Sequence, residues 1–312
     1  MGSFPPWPVI QEMLLKLVLP SFAAAAGLFA VICVLTRSRS LRMIGGAAAV
    51  VAGLAAGNHF RELLTWWPLD PSALAAAEND ASRVSWWQVE RGWTALLPAT
   101  SLAICGGAAA ALLSVRTHGG MGLAIRLLTA SLCALWITEA MEPASLPVTF
   151  GVIFAGIVLN WEAGLQLGRI GTARAALPLV TMIWGGAAAT VLIFAHSARF
   201  CDLAVLITAA FLGAALIATV WDQNTAVLFS APAVFIPGLM LGGAVNTFSE
   251  VPLMAFGLVA FTPCVLWLVL LPRLRRWPLR FQAAAAVLAV TIPCTAASVM
   301  AVRNETLDFG NE

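Results

Sequence analysis

Charged residues are scarce in this chain of 312 residues, because only 10% are Asp, Glu, Lys or Arg while 61% are apolar. A soluble domain carries about 25% charged and about 45–50% apolar residues. A water-soluble fold of this size could not cover its surface with so few charges, whereas lipid removes the need for them. The composition therefore predicts an integral membrane protein rather than a soluble domain.

Several catalytic and binding motifs are also lacking. The chain has no tyrosine, no G-x-x-x-x-G-K-[ST], no H-E-x-x-H, no G-x-S-x-G and no G-x-G-x-x-G sequence. These absences argue against a nucleotide-driven motor and against the common hydrolase and dinucleotide-binding classes. No basic stripe with interleaved aromatic residues predicts nucleic-acid binding. The six cysteines show no C-x-x-C spacing, so we interpret them as packing residues and expect neither a metal nor another cofactor.

What the chain does have is long, continuous apolar runs. Their length fits membrane helices of about 20 residues better than the short alternating strands of a barrel. We predict an all-α polytopic transmembrane helical bundle, with residues 1–312 forming a single domain. Its ten spans are predicted at about 12–35, 43–62, 93–114, 123–141, 146–168, 175–195, 203–220, 226–246, 252–271 and 281–302.

Arginine is unevenly distributed between the two sides of this predicted topology. Cytoplasmic loops carry the excess of Lys and Arg. The richer side is therefore predicted to be cytoplasmic, which places both termini outside a bacterial inner membrane with the bilayer as partner. That side collects eleven of the 17 basic residues, namely Arg37, Arg39, Arg42, Arg116, Arg126, Arg169, Arg174, Arg273, Arg275, Arg276 and Arg280.

The segment of about residues 63–92, between spans two and three, is the one sizeable connection. Tryptophan is enriched there and just beyond it, at positions 66, 67, 86, 87 and 93. Tryptophan rings favour the boundary between membrane and water. Asp70 and Pro71 suit the start of a short helix. We expect a partly helical, Trp-rich cap on the outer surface.

Small residues recur inside the spans. The sequence Gly-Gly-Ala-Ala-Ala occurs at 45–49, 106–110 and 185–189. Small residues allow membrane helices to approach closely, so each copy predicts a tight helix–helix contact.

Two similar proline patterns lie in the last two spans, Phe261-Thr262-Pro263-Cys264 and Thr291-Ile292-Pro293-Cys294. Proline removes a backbone hydrogen bond and favours a kink. Such kinks either build a cavity for a substrate or only shape the bundle, and both interpretations stay open.

Ionisable residues inside a membrane are the usual pointer to function. The candidate intramembrane polar site is Asn160, Glu162 and Gln166 in span five, with Glu162 as a possible proton or cation site. The alternative is a carboxylate that reaches toward Arg169 at the inner boundary, with Trp161 as an interface anchor.

A candidate outer-face polar site comprises His59, Arg61, Glu139 and Glu142. Glu139 and Glu142 share one helical face and could bind a cation, or they are two solvated acids at a helix end. A composite metal site of His59, His196, Cys201 and Asp202 is conceivable, although zinc sites gather three or four ligands and His59 alone is a weak signal.

The order of features resembles that of a loose group of uncharacterised ten-span bacterial membrane proteins. The resemblance rests on residues 52–59 at the end of span two, on Trp67-Pro68, on residues 177–180 and on residues 248–252. It implies the topology and a bacterial origin, and it implies no activity.

Three functions are compatible with these observations. The first is a structural or accessory membrane protein without catalytic chemistry of its own, associated with partner proteins that the sequence does not identify. The second is a secondary transporter or permease, which Glu162 and the kinked late helices support. The third is an intramembrane enzyme that acts on lipid beneath the outer cap.

Overall fold

The computed structural model describes residues 11, 13–64, 96–116, 120–141, 145–169, 173–221, 225–246, 249–271 and 273–304. Every regular element within these ranges is helical. The predicted Trp-rich cap lies outside the described residues from position 65 onward.

Within these ranges ten main helical segments follow one another, and a separate 3-10 turn, Leu274–Arg276, precedes the last. A π-helical turn, Leu14–Val18, opens the first, and a 3-10 turn, Thr225–Val227, precedes the eighth. The segments are α1 (Leu14–Leu35), α2 (Arg39–Leu64), α3 (Leu96–Arg116), α4 (Gly120–Met141), α5 (Leu146–Arg169), α6 (Ala173–Phe194), α7 (Ala198–Val220), α8 (Ser230–Asn246), α9 (Leu253–Val269) and α10 (Leu279–Asn304).

Seven of these helices are long and apolar enough to cross a membrane, namely α1, α2, α4, α5, α6, α7 and α10. The other three contain shorter apolar stretches, Pro98–Leu113, Ser230–Val245 and Leu253–Val269. Large apolar side chains cover the outside of the bundle, among them Leu35 (77% exposed) and Ile292 (71% exposed). Such a surface is stable in lipid and not in water, so the chain is a membrane protein.

The small residues of α10 face the bundle, and its large residues face outward. Ala286, Ala297 and Ala301 are fully buried against the bundle, whereas Leu288 and Ile292 face outward. Lipid is as apolar as leucine, so no hydrophobic gain draws the large side chains inward and close backbone contact decides the interface.

The three Gly-Gly-Ala-Ala-Ala sequences confirm the predicted close approach. A Cβ atom added to Gly45, Gly106 or Gly185 would overlap a side chain of the helix adjacent in the chain. The three partners are Ile32, Thr129 and Thr208, so the contacts join α1 to α2, α3 to α4 and α6 to α7. Each sequence therefore holds one pair of consecutive helices together.

Helices α1, α2 and α7 meet at Ser21. The Ser21 hydroxyl lies 2.9 Å from the carbonyl oxygen of Gly53 and 3.1 Å from that of Leu206. Gly53 has no room for a side chain, because a Cβ there would lie 2.7 Å from the Ser21 carbonyl oxygen. A buried hydroxyl thus links three helices where their backbones come closest.

The centre of the bundle is α8, which packs against α3, α5, α7 and α9. Phe229, just before it, and Phe235 within it are completely buried. The Phe229 ring lies 5.9 Å from the Trp184 ring and 6.2 Å from the Phe211 ring, measured between centroids. Spacings in this range are favourable for aromatic pairs, so these rings fix α6, α7 and α8 relative to one another.

Candidate functional site

Helix α9 is broken in its middle. Regular α-helix ends at Phe261, a 3-10 turn covers Thr262–Val265, and a short α-helical turn, Leu266–Val269, completes the segment. Pro263 lies in the turn and has no N–H group, so it cannot donate to the carbonyl of Val259. The Thr262 N–H donates to that carbonyl instead, which tightens the chain. Proline at this position therefore breaks the helix, whereas α10 continues through Pro293.

Side chains from two other helices bind the carbonyl groups at the break. The indole Nε1 of Trp184 donates to the Val259 carbonyl oxygen at 2.7 Å. The Nδ2 atom of Asn160 donates to the Ala260 carbonyl oxygen at 2.8 Å. Both donors are fully buried. Backbone groups inside a membrane must find partners within the protein, and here α5 and α6 provide them.

Thiol and hydroxyl groups extend this contact to α10. The Cys264 thiol donates to Oδ1 of Asn160 at 3.2 Å, and the Cys294 thiol lies 3.8 Å from the Thr262 hydroxyl. Thr262 in turn donates to the Leu258 carbonyl oxygen at 2.6 Å. The two Pro-Cys patterns therefore meet in space. We call Asn160, Trp184, Thr262, Cys264 and Cys294 the helix-break cluster.

Glu162 is bound to a different helix from Asn160. Its Oε1 atom lies 2.5 Å from Nε of Arg126 on α4, and the two side chains are 15% and 12% exposed respectively. Arg126, which the sequence groups with the cytoplasmic arginines, lies within the apolar span Gly120–Met141. The carboxylate is thus paired across a helix–helix interface, while the side chain of its expected neighbour Arg169 is outside the described residues.

The predicted intramembrane site is consequently divided. Asn160 faces the break in α9, and Glu162 faces α4. Gln166 is half-buried on the same helix, α5, and takes part in an interaction of its own. The structure joins each of Asn160 and Glu162 to a neighbouring helix rather than to one another.

Only part of the predicted outer-face site lies among the described residues. His59 on α2 and Glu139 on α4 are both exposed, and the side chains of Arg61 and Glu142 are outside the described residues. The end of α2 does meet the start of α7, because Arg199 Nη2 donates to Asn58 Oδ1 at 3.3 Å.

The conceivable composite metal site is not assembled from the side chains that are described. His196 is exposed, with a φ of 54°, whereas Cys201 is buried in α7. Across the described ranges, no group of three or more His, Cys, Asp and Glu residues is arranged to hold a metal ion.

A cavity of about 210 Å³ lies between α5, α8 and α9. Its lining is almost entirely apolar and includes Ala260 and Phe261, which directly precede the break in α9. Glu162 does not line it. The cavity can therefore hold hydrocarbon, and it supplies no charged group to an ion or a polar substrate.

The sequence predicted a polar site at Asn160 and a kink at each of the two proline patterns, but it predicted neither their contact nor the role of Trp184, for which one signal was present. Trp184 lies in the middle of an apolar span, away from the boundaries where tryptophan is normally enriched. A buried indole requires an acceptor for its N–H, so its position indicates a freed carbonyl nearby.

Fold and site together define a multi-helix membrane protein whose intramembrane polar groups bind other helices. No protein-family model, curated protein or solved structure matches this chain. Function must therefore be argued from the site alone.

Proposed function

We propose that the chain is a ten-span protein of the bacterial inner membrane, with both termini outside and the Arg-rich connections in the cytoplasm. The three shorter apolar helices complete this count because each packs against a helix that is long enough to span, α3 against α4, α8 against α5 and α7, and α9 against α10. The connection between α9 and α10 supports the orientation, since Arg273, Arg276 and Arg280 are exposed there together with Trp277.

The orientation can be tested by cysteine labelling from one side of the membrane. We expect Asn304→Cys to react with an impermeant maleimide in intact spheroplasts, and Ser38→Cys to react only after lysis. Both positions are exposed and lie on opposite predicted sides. The wild-type chain is the control because it already contains six cysteines. Labelling of position 38 in intact cells would overturn the orientation.

We further infer that the protein has a structural or accessory role and performs no chemistry of its own. The observation that carries this proposal is the use made of its intramembrane polar groups. Asn160 binds the backbone of α9 and the thiol of Cys264, and Glu162 is paired with Arg126. A charge or amide retained in a membrane requires a reason, and helix-to-helix attachment supplies one.

Purification from native membranes in a mild detergent tests this role. We expect a partner membrane protein to co-purify in a fixed molar ratio, to resist washing with salt, and to be lost from the membrane when the gene for this chain is deleted. A chain that purifies alone, and whose deletion leaves the composition of the membrane unchanged, would contradict the proposal.

A secondary transporter is the second candidate, and the break in α9 is the observation that favours it. Transporters build their sites from discontinuous helices near the middle of the bilayer. In this chain the carbonyls of Val259 and Ala260 already have side-chain donors, which makes the accessory role the better supported one. The lipid-acting enzyme depends on the segment 63–92, of which nearly all lies outside the described residues, and ranks third.

A further inference from the structure

The cavity between α5, α8 and α9 runs along the helices from one end of the bundle toward the middle. On α5 its lining extends from Val148, near the start of the helix, to Gly156, and on α9 from Leu253 to Phe261. Eight residues of helix rise about 12 Å. One leaflet of hydrocarbon is about 15 Å thick, so the cavity has nearly the depth of one leaflet.

One glycine keeps this space open, and a second lies on its wall. Gly156 on α5 and Gly257 on α9 both line the cavity. A Cβ atom added at Gly257 would meet nothing within 4 Å, so the space in front of it is empty of protein. Pro237 on α8 also lines the cavity. A larger side chain at Gly257 would fill it, whereas a Cβ atom at Gly156 would lie 3.3 Å from the Phe261 ring.

The mouth of the cavity faces the lipid side of the bundle. Val148, Val152 and Leu253 line it and are 67%, 46% and 71% exposed respectively. All three belong to apolar helices, so the surrounding medium at this depth is hydrocarbon. On the buried side of the cavity, away from the mouth, Met240 lines the cavity and is only 1% exposed. A molecule reaching Met240 has therefore entered from the bilayer.

The size and lining of the cavity select the class of occupant. Thr149 is the one residue with a hydroxyl group in the lining, and no charged residue is present. An apolar cavity of about 150 Å³ stays dry and binds benzene, so this larger one favours an apolar occupant over water.

We propose that this cavity binds one hydrocarbon chain of a membrane phospholipid, which enters sideways and lies parallel to α5 and α9. The depth of the cavity, its lateral mouth and its lack of charged groups all fit a chain that remains attached to a headgroup at the membrane boundary. This function goes beyond the accessory role and depends neither on the proposed partners nor on the orientation. In this function the protein holds one lipid chain between its helices.

Photo-crosslinking tests the proposal. The full-length protein is placed in nanodiscs of phosphatidylcholine that contain a small fraction of phosphatidylcholine with a diazirine in the middle of one chain. After irradiation, mass spectrometry compares labelling of buried Met240 with labelling of Ile292, which is exposed on α10, does not line the cavity and is reached by bulk lipid. We expect Met240 to be labelled in the wild-type protein, and the ratio to fall about tenfold in Gly257→Leu, because close-packed side chains leave no room for the lipid chain.

A matched control uses Gly151→Leu. Gly151 is exposed on α5, a Cβ there meets nothing within 4 Å, and the residue does not line the cavity. We expect the labelling ratio of this variant to equal that of the wild type. If Gly257→Leu does not fold, Gly257→Ala provides the same test, because its added methyl group clashes with nothing and narrows the cavity in part.

Three results would overturn the proposal. The first is absence of label at Met240 in the wild-type protein, and the second is an unchanged ratio in both Gly257 variants. The third concerns the molecule to which the bound hydrocarbon chain belongs. A free fatty acid with the same diazirine is tested in parallel, and labelling by the fatty acid without labelling by the phospholipid would reject a membrane phospholipid as the occupant.

Discussion

Replacement of Gly185 by alanine is expected to destabilise the bundle by about 2–3 kcal/mol, a typical cost of overpacking a well-filled interior. The new methyl group would overlap Oγ1 of Thr208 on α7 and would lie 2.9 Å from its Cβ and 3.0 Å from its Cγ2. Rotation of Thr208 does not relieve the contact because all three atoms are close. Threonine is also stiff at χ1, and its hydroxyl donates to the Ala204 carbonyl oxygen at 2.7 Å. Helices α6 and α7 must therefore move apart.

Gly186 provides the control for this change in the adjacent position of the same sequence motif. A Cβ atom added there meets nothing within 4 Å, and the residue is exposed. Gly186→Ala is expected to be neutral or to stabilise the helix by up to about 1 kcal/mol, because alanine favours helix over glycine. Each variant is unfolded by titration with a denaturing detergent, and the free energies of unfolding of the two variants are compared. Equal stability of the two variants would show that α6 and α7 do not approach at Gly185.

The Gly-Gly-Ala-Ala-Ala sequences show how far local pattern determines this fold. Recurring small residues predicted close contacts, and the first glycine of each copy makes one. The second glycine does not behave in the same way in all three copies. Gly46 and Gly107 approach the central part of the bundle at Leu228 and Ser230, whereas Gly186 faces open space. Which face a glycine presents depends on the rotation of its helix in the bundle, and the motif alone does not contain that information.

The break in α9 was predictable in position but not in its consequences. Pro263 predicted a kink because proline cannot donate a backbone hydrogen bond. The side chains that bind the carbonyls at the break, those of Asn160 and Trp184, come from positions 75 to 100 residues away in the chain. Such pairings arise from helix packing, for which a single sequence offers no spacing rule. The kinks left open that a cavity forms, but its position was not predictable for the same reason, since it lies where three helices do not fill the space between them.

Glu162 shows why the assignment of each charged residue to a connection between two spans does not predict its partner. The sequence placed Arg126 among the cytoplasmic arginines and offered Arg169 as the neighbour of Glu162. In the structure Arg126 lies six residues after Gly120 and Glu162 six residues before Gly168, at the ends of two consecutive spans. Consecutive spans run in opposite directions, so both residues lie about 9 Å from the same boundary. Depth in the membrane, compared between neighbouring spans, would have identified the pair.

Removal of either partner of the Arg126–Glu162 pair is expected to cost about 3 kcal/mol of stability, toward the lower end of what breaking a buried pair costs, because both side chains are slightly exposed. Glu162→Gln leaves the guanidinium without its counter-ion, and Arg126→Gln does the same to the carboxylate. The double variant Arg126→Gln/Glu162→Gln contains no charge at this depth, and two amides can still form a hydrogen bond. We expect it to recover most of the lost stability in a double-mutant cycle.

The cycle also separates the structural role of Glu162 from a role in transport. Arg303→Gln removes an exposed charge at the end of α10 and is expected to leave stability unchanged, which controls for the loss of one arginine. If Glu162 only holds α5 to α4, the double variant regains stability. Growth, partner assembly and any uptake into vesicles are then the same as with the wild type. If Glu162 carries a proton or cation, uptake stays lost in the double variant even though the protein is stable again, because no carboxylate is left to bind the ion. Recovered stability with lost uptake would therefore reject the accessory role in favour of the transporter.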